Sequence, residues 1–273
     1  MIAFSANSLL NRLALLDQTI GPGSFALIRV VAGALVLAVL LILRDRGQLR
    51  PVRPGGVGVL ALAAYLLGFS YAYVSMDAGL GALILFGGVQ ITMFTGALIE
   101  GDRPSPARWL GMALAMVGRA IRTLPSGPGA ISPGAFALMG IASVGWGAYS
   151  LTGRGATDPI AATGWNFVYA LPVVLAVALI FPDAIRISMK GVALAVVSGG
   201  LTSALGYALW YALLPRLGAT RGALAQLSVP ALTLGLGALL LGEPLTLAAM
   251  LSALLILGGI LIGLLPIRRA RVS

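Results

Sequence analysis

The sequence predicts an all-α integral membrane protein with ten transmembrane helices, arranged as two inverted-topology repeats of five. Three observations predict this fold. They are an apolar composition, a series of apolar segments separated by short polar joints, and matches between the two halves at a nearly constant offset. We place the first repeat at residues 1–127 and the second at residues 128–273.

The composition excludes a water-soluble fold. Hydrophobic residues make up 59% of the chain, charged residues only 10%, and the mean hydropathy is +1.01, whereas soluble domains carry roughly 25% charged residues. The chain contains no cysteine and no histidine, which removes disulfides, thiol nucleophiles, imidazole bases and the usual zinc sites. We therefore expect no cofactor and no metal, and a lipid bilayer around the protein.

Ten apolar runs define the spans. A spanning helix needs about 20 apolar residues, and glycine, proline and charged residues interrupt the chain at about that interval. The predicted spans are residues 2–16, 24–43, 57–76, 79–99, 107–123, 133–152, 159–181, 191–214, 218–241 and 245–265. The first run has neither a basic start nor a cleavage site of small residues, so we expect a short spanning helix there and not a signal peptide.

Positive charge orients the predicted bundle, because short cytoplasmic joints retain arginine and lysine. The side that holds both termini carries twelve such residues and the other side carries four: Arg119, Arg122, Arg186 and Lys190. Both termini are therefore expected in the cytoplasm, and the arginine-rich and alanine-rich composition favours a bacterial inner membrane. Glu100, Asp102 and Glu243 are expected at the cytoplasmic ends of their spans.

Matches between the halves support the repeats. Gly101 and Gly242 end the fourth and ninth spans, and they lie 242 − 101 = 141 positions apart. The segment Ala6-x-Ser8-Leu9-x-x-Arg12 matches Ala148-x-Ser150-Leu151-x-x-Arg154 at an offset of 142, and Gly68-Phe69 matches Gly206-Tyr207 at an offset of 138. Chance is the alternative in so apolar a chain. Because five is an odd number of spans, the second copy enters the membrane from the opposite face, as in many secondary transporters.

Helix interruptions at matching positions are expected to mark the site of such a protein. Gly87-Gly88 interrupts the fourth span, and Pro230, which lacks a backbone donor, interrupts the ninth. Gln90 and Gln226 lie beside these points and are candidate ligand-binding residues in an otherwise apolar cavity. The alternative is that the glutamines bond to a neighbouring helix and that the proline is an ordinary kink.

Aromatic residues recur at helical spacing within the spans. The pairs are Trp146 with Tyr149, Trp165 with Tyr169, Phe69 with Tyr73, and Tyr207 with Tyr211. Residues three or four apart share a helix face, and an inward aromatic face binds planar or apolar ligands by stacking and burial. Ordinary packing is the alternative for these pairs. Trp109 lies near a span end, which is typical of an interfacial belt.

Two arginines lie inside spans, Arg12 and Arg29. Each is placed toward the outer end of its span, so we expect the side chain to snorkel to water, with attraction of a substrate carboxylate as the alternative. The middle of the predicted spans holds no Asp or Glu. A buried carboxylate relay for protons is therefore not predicted.

The assembled residues resemble the EamA-type transporters of the drug/metabolite transporter superfamily. The resemblance depends on the ten spans, on Phe25-Ala26-Leu27-Ile28-Arg29 at the start of a span, on the Gly-Tyr-x-x-x-Tyr at 206–211, and on the stretch from Ala219 through Pro230 to Gly242-Glu243-Pro244. Phe4-Ser5 departs from a common Trp-Gly pair, and Gly101-Asp102 departs from Gly-Glu. The resemblance implies a cavity between the halves, alternating access and, usually, export of amino acids, other metabolites or drugs.

The pattern is also similar to the YddG-type aromatic amino acid exporters within this family. The leading hypothesis is therefore a small-molecule exporter, not an enzyme, for aromatic or other hydrophobic amino acids. Export of drugs or other metabolites is the alternative within the class. A lipid-modifying membrane enzyme is disfavoured, because such chemistry needs positioned acids, bases or metal ligands. We expect no nucleic acid partner and a monomer, with a dimer as the alternative.

Overall fold

The computed structural model describes residues 1–48, 51–53, 55–99, 101, 105–107, 109–111, 113–114, 117, 132–153, 156–183 and 187–264. Side chains are described for these residues except 97, 211–212, 214–225, 227, 248, 260, 263 and 264. Every regular element within these ranges is helical. The prediction of an all-α fold is confirmed.

The described helices account for each of the ten predicted spans. They are α1 (Ile2–Leu16), α2 (Pro22–Arg44), α3 (Gly56–Ala72), α4 (Ala78–Ile99), α5 (the helical residues described between 106 and 117), α6 (Pro133–Gly153), α7 (Pro159–Ile180), α8 (Met189–Val196), the π segment (Val197–Leu205), α9 (Gly206–Leu241) and α10 (Leu247–Leu264). Five helical stretches in the described residues are long and apolar enough to cross a membrane, and four shorter apolar helices accompany them.

The helical backbone of α9 continues through the predicted joint between the eighth and ninth spans, yet the chain reverses direction within α9. Gly206 packs against α1, because an added Cβ would lie 3.3 Å from the Cβ of Ala3. Val229 also lies against α1, since its carbonyl oxygen accepts a hydrogen bond of 3.2 Å from Ser5 Oγ. A straight helix would separate Gly206 and Val229 by about 35 Å. The chain must therefore turn between them, and α9 contains parts of two spans.

Contacts between helix ends define the two ends of the bundle. At the first, the Glu243 end, Arg12 near the end of α1 lies 3.4 Å from Asp77 and 3.6 Å from Glu243. At the second, the Arg44 end, Arg44 at the end of α2 donates a hydrogen bond of 3.0 Å to Asp158. Because α1 ends at the Glu243 end, it begins at the Arg44 end.

Helix α6, the counterpart of α1, runs the opposite way. The early part of α6 packs on the late part of α3, since a Cβ on Gly68 would lie 2.6 Å from the carbonyl oxygen of Leu138. α3 ends a few residues before Asp77, at the Glu243 end. α6 therefore begins at the Glu243 end and finishes at Gly153, near Asp158 and the Arg44 end. The inverted relation between the repeats is confirmed.

The two repeats interlock along a continuous apolar core. α3 packs most extensively against α6, while α2 packs against α7 and the π segment, and α4 packs against α6 and α9. Small residues permit these approaches. A Cβ on Gly145 would lie 2.6 Å from the carbonyl oxygen of Ala61, and one on Gly147 would lie 2.6 Å from the side chain of Thr92. The largest buried cluster therefore draws residues from both repeats.

The prediction that Glu243 lies at the same end of the bundle as Glu100 and Asp102 is wrong. Glu243 bonds to the N–H groups of Ala78 and Gly79 at the start of α4, whereas Glu100 and Asp102 follow the last residue of α4 and lie outside the described residues. The 22 residues of α4 separate these positions by about 33 Å. Equivalent positions of inverted repeats face opposite sides of the membrane. Gly101 and Gly242, which end the fourth and ninth spans and both have a positive φ, are equivalent in this sense and therefore belong to opposite ends of the bundle.

The backbone is helical at the predicted interruptions Gly87, Gly88 and Pro230, and their role as helix-break or gating residues stays a prediction. α4 continues through both glycines, and α9 continues through the proline. A glycine leaves the helical hydrogen bonds intact, and a proline removes only one of them, so neither must end a buried transmembrane helix. The irregular backbone lies instead in the π segment, which follows α8.

Candidate functional site

Five aromatic side chains from four helices form a buried group, the aromatic cage. Its members are Phe4, Tyr65, Phe69, Trp146 and Tyr207. The Trp146 ring lies 4.9 Å from the Tyr65 ring and 5.0 Å from the Tyr207 ring, and Phe4 and Tyr207 are 5.8 Å apart. Tilted and edge-on contacts at such distances are favourable for aromatic rings. The cage therefore presents several ring faces and edges to one central point.

Four of the cage residues are repeat counterparts. Phe4 and Trp146 are related by the offset of 142, and Phe69 and Tyr207 by the offset of 138. The Phe4 and Trp146 rings lie 6.3 Å apart, so the first pair meets directly across the seam between the repeats. A site near the interface of two repeats is the expected location in an inverted-repeat transporter.

The cavity between the cage residues is narrow. Asn7, Ser8, Leu85 and Phe86 complete its walls, and the space inside holds about one water molecule. Small-molecule pockets are usually about 300 Å³ or larger. The rings must therefore move apart before the cage admits a ligand of amino acid size.

A larger cavity of about 370 Å³ lies at the Arg44 end, and we call it the vestibule. Its walls include Arg53, Gly58, Tyr149, Thr152 and Asn166. The Tyr149 ring lies 5.8 Å from the Trp146 ring of the cage, and the Tyr149 hydroxyl donates a hydrogen bond of 3.3 Å to Thr163 Oγ1. Tyr149 therefore stands between the vestibule and the cage.

Polar contacts between the repeats close the Glu243 end. Glu243 Oε1 accepts a hydrogen bond of 2.7 Å from the Ala78 N–H, and Oε2 accepts one of 3.3 Å from the Gly79 N–H. Burial raises the pKa of the Glu243 carboxyl above its usual range, although these two N–H groups and Arg12 act in the opposite direction. Glu243 therefore ties the second repeat to the start of α4 in the first.

Two further contacts between the repeats lie at the same end. Asp183 accepts a hydrogen bond of 2.7 Å from the Ser24 N–H at the start of α2. Lys190 Nζ lies 2.5 Å from Asp17 Oδ2. Both acids meet a positive partner, a helix N-terminus or an ammonium group. This end is thus held by contacts at three places among the described residues.

One ion pair joins the repeats at the Arg44 end, within the described part of the chain. Arg44 lies 2.5 Å from Asp158 and 2.8 Å from Asp45. The hydrogen bond from Arg44 is the main cause that lowers the pKa of Asp158. The Arg44 and Asp158 side chains are 40% and 36% exposed, and exposed pairs contribute little to stability. Among the described residues, fewer polar contacts between the repeats therefore lie at the Arg44 end than at the Glu243 end.

Arg29 lies at the centre of a polar layer behind the cage. Its side chain is fully buried. Arg29 Nη2 donates a hydrogen bond of 3.1 Å to the Tyr65 hydroxyl, and both Nε and Nη2 lie 3.2 Å from Ser203 Oγ. Its guanidinium carbon lies 5.3 Å from the Tyr65 ring and 5.1 Å from the Phe69 ring, within the range of cation–π attraction.

The prediction that Arg29 snorkels to water is wrong, because the π segment places Ser203 against its guanidinium and holds it inside. Arg12 behaves differently. Its side chain reaches the Glu243 end, where it donates hydrogen bonds to the carbonyl oxygens of Tyr73 and Val74 at 3.0 and 3.3 Å and lies near Asp77 and Glu243. Arg12 is thus part of the closure at that end.

Asn7 connects the π segment to the cage. Its Oδ1 accepts hydrogen bonds from Ser198 and Thr202, and its Nδ2 donates one of 3.4 Å to the Tyr65 hydroxyl. Sequence reasoning missed Asn7, Tyr65 and the π segment. Polar residues inside apolar spans were the available signal, and π segments often occur at functional sites.

The structure brings together some of the predicted site residues. Phe69, Trp146 and Tyr207 belong to the cage, Tyr73 packs on Phe69 at 4.7 Å, and Tyr149 packs on Trp146. These five residues of the predicted aromatic face therefore lie in the aromatic cage or directly against it.

The other predicted site residues lie elsewhere. Trp165 and Tyr169 contact each other at 6.1 Å, and Tyr169 is 46% exposed. Gln90 and Gln226 are half-buried, and neither belongs to the described walls of the cage cavity. The Tyr211 side chain lies outside the described residues. A ligand role for these residues stays a prediction.

An inverted repeat of membrane-crossing helices around an enclosed cage defines the class as a multi-pass membrane transporter. The pattern of the EamA-like transporter family matches residues 1–123 and again residues 133–265. The chain belongs to this family, and the resemblance stated from the sequence is confirmed. It is accordingly a transporter and not an enzyme.

Relatives and one solved structure support this assignment. The chain is 47% identical over 268 residues to an uncharacterized protein of Pseudomonas aeruginosa, covering 97% of this chain and 92% of the relative. It is 28% identical over 212 residues to a probable amino-acid metabolite efflux pump of Salmonella typhimurium, covering 72% and 71%. A crystal structure with 16% identity matches the fold with a TM-score of 0.65, covering 94% of this chain and 97% of that chain.

Proposed function

We propose that the protein exports small hydrophobic metabolites, with aromatic or other hydrophobic amino acids as the main substrates. The observation that carries the proposal is the aromatic cage, a buried group of rings at the seam between the repeats. Aromatic rings favour ligands with apolar or planar side chains. The Salmonella relative, whose name is probable amino-acid metabolite efflux pump, supports the same substrate class.

Transport proceeds by alternating access, in which the repeats rock about the cage. Opening the Glu243 end requires Glu243 to leave Arg12 and the start of α4, and opening the Arg44 end requires separation of Arg44 and Asp158. Both sets of contacts join one repeat to the other. A rigid rocking of one repeat against the other therefore breaks one set while it preserves the other.

We place the Arg44 end, with both termini, in the cytoplasm of a bacterial cell. The excess of arginine in the joints at that end supports this orientation, and the vestibule then receives substrate from inside, as an exporter requires. Single cysteines test it, because the chain has no cysteine of its own. A membrane-impermeant maleimide added to whole cells should label Ser75→Cys and not Pro51→Cys. The reverse pattern would overturn the orientation.

Counterflow of labelled phenylalanine or tryptophan into proteoliposomes tests the transport activity. We expect uptake above empty liposomes when the lumen contains unlabelled substrate. Trp146→Ala should lower the initial rate at least roughly tenfold, because it removes a central ring of the cage. Trp109→Ala, at a tryptophan that is 54% exposed, should stay within about twofold.

Two results would change the proposal. An absence of flux across a panel of all amino acids would remove amino acid export, and flux of drugs or other metabolites in the same assay would establish the alternative. Equal loss in Trp146→Ala and Trp109→Ala would show that the cage is not the site. Trp146→Phe, which retains a ring, serves as the variant that keeps the packing.

A further inference from the structure

Arg29 is a positive charge inside the membrane without a negative partner in the described part of the chain. Its hydrogen-bond acceptors are the hydroxyl oxygens of Tyr65 and Ser203, and its Nη1 is buried with no hydrogen-bond partner. Hydroxyl groups stabilise a guanidinium but do not neutralise it. A charge held this way in a low-dielectric region is costly, so the arrangement favours the arrival of an anion.

The unpaired nitrogen lies directly behind the cage wall. The guanidinium contacts the rings of Tyr65 and Phe69, and these two residues also line the cage cavity. The Tyr65 hydroxyl accepts hydrogen bonds from Arg29 and from Asn7, so the ring is held by contacts at its tip. The narrow cavity has no room for a ligand of amino acid size. A ligand that displaced the Tyr65 hydroxyl would take its place at the Arg29 guanidinium.

We propose that Arg29 binds the carboxylate of the substrate while the cage holds the apolar part. The carboxylate takes the unpaired Nη1 and replaces the Tyr65 hydroxyl at Nη2, which gives the two parallel hydrogen bonds that arginine forms with carboxylates. The substrates are then carboxylates with an aromatic or bulky apolar group. This inference rests on the proposed function, because it assigns the recognition group of that same site.

The cage does not provide an equivalent partner for an amino group. The described walls of its cavity contain no Asp or Glu, and the one amide oxygen there, Oδ1 of Asn7, already accepts hydrogen bonds from Ser198 and Thr202. The substrate ammonium meets ring faces and the Tyr207 hydroxyl, which is buried without a hydrogen-bond partner. These uncharged groups should contribute less to binding than the charged Arg29 contributes through the carboxylate. Removal of the amino group should be tolerated, and removal of the carboxylate charge should not.

Competition experiments with purified protein separate these two groups. Quenching of intrinsic tryptophan fluorescence reports binding, and inhibition of labelled phenylalanine counterflow reports access to the transport site. We expect 3-phenylpropanoate to compete within about threefold of phenylalanine, whereas phenylalaninamide competes at least roughly tenfold more weakly because it lacks the charged acceptor. Equal competition by the amide and the two carboxylates would overturn the proposal.

Substitutions at Arg29 test the residue itself. Arg29→Gln should weaken binding of phenylalanine and 3-phenylpropanoate roughly 10- to 100-fold and should leave the weak binding of phenylalaninamide unchanged. Arg29→Lys keeps the charge and should retain part of the affinity for carboxylates. Arg46→Gln, at an exposed arginine, is the matched control. If Arg29→Gln weakens binding of phenylalanine, 3-phenylpropanoate and phenylalaninamide equally while its melting temperature is unchanged, carboxylate recognition by Arg29 is contradicted.

The outcomes for the two proposals remain distinguishable. Binding of the carboxylates without counterflow would remove the proposed transport of these compounds and leave the assignment of Arg29 intact. Counterflow that survives in Arg29→Gln with unchanged affinity would support the transport proposal and remove the assignment. Absence of both binding and counterflow in the unmodified protein would remove both.

Discussion

Gly199→Ala should destabilise the protein, although alanine is a better helix former than glycine. Gly199 lies in the π segment and faces the backbone of α2. An added Cβ would overlap the carbonyl oxygen of Arg29 and would lie 2.9 Å from the Arg29 Cα, where carbon atoms in contact are usually about 3.5 Å or more apart. Because the obstacle is backbone, α2 and the π segment must separate by roughly 1 Å.

The cost has two parts. Overpacking of a tight helix contact costs about 1–3 kcal/mol. The same separation lengthens the bonds of 3.2 Å between Arg29 and Ser203 beyond hydrogen-bond range, and loss of a bond to a charged group costs about 1.5–3 kcal/mol. Together they amount to roughly 2.5–6 kcal/mol, which corresponds to a fall in apparent melting temperature of roughly 5–24 °C for a chain of this size.

Thermal unfolding in a mild detergent, followed by tryptophan fluorescence, measures this effect. The neighbouring glycine supplies the matched control, because a Cβ on Gly200 would meet only the side chain of Val36, at 3.1 Å. Gly235→Ala is a second control, since no atom lies within 4 Å of its added Cβ. If Gly199→Ala unfolds at the same temperature as Gly200→Ala, the close contact between the π segment and α2 is refuted.

Two predictions concern the closures at the ends. Burial raises the pKa of the Glu243 carboxyl. The carboxyl therefore binds its proton more tightly when the Glu243 end is closed than when that end is open and hydrated. Raising the pH from the usual glutamate pKa through the raised value therefore favours opening. Maleimide labelling of Ser8→Cys inside the cage should then accelerate with pH more steeply than in the double variant with Glu243→Gln, whose rate rises only with the thiolate fraction. The pKa of Asp158 is lowered, so its pair with Arg44 is lost only when the pH falls below the usual aspartate pKa. Arg44→Gln should cost less than about 1 kcal/mol at neutral pH in chemical unfolding, and a larger cost would contradict the exposed geometry.

The fold was predictable because the sequence itself contains its two signals. These are the length of each apolar segment and the constant spacing between matching residues of the two halves. The first span was predicted as residues 2–16, and α1 has these bounds. The chain also reverses between Gly206 and Val229, the interval that contains the joint predicted after Leu214, and the exact position of that joint stays a prediction. In a membrane, backbone groups must bond within their own helix, so apolar length alone locates the spans.

The site was predictable only in part. Helical spacing identified Phe69, Trp146 and Tyr207, because aromatic residues three or four apart share a face. Spacing says nothing about which helices meet, so Phe4 and Tyr65 were missed as cage residues. The burial of Arg29 depends on Ser203 from a helix 174 positions away, and no local pattern reveals such a partner.

The expectations for the helix interruptions and for Glu243 share one physical origin. The expected interruptions at Gly87, Gly88 and Pro230 assumed that helix-weakening residues break helices, whereas the backbone at these three residues is helical. Glu243 was placed beside Glu100 because both residues are next to span-ending glycines. The local sequence does not distinguish a helix that is broken from one that continues, or one end of the membrane from the other. The packing of the helices and the inverted orientation of one repeat determine both.

A structure with a bound aromatic carboxylate, such as 3-phenylpropanoate, tests the central claim most directly. The ring should lie among Phe4, Trp146 and Tyr207 at the seam between the repeats, with its carboxylate at hydrogen-bond distance from the Arg29 guanidinium. A ligand held within one repeat alone, or bound on the lipid-facing surface while the cage stays closed, would contradict it.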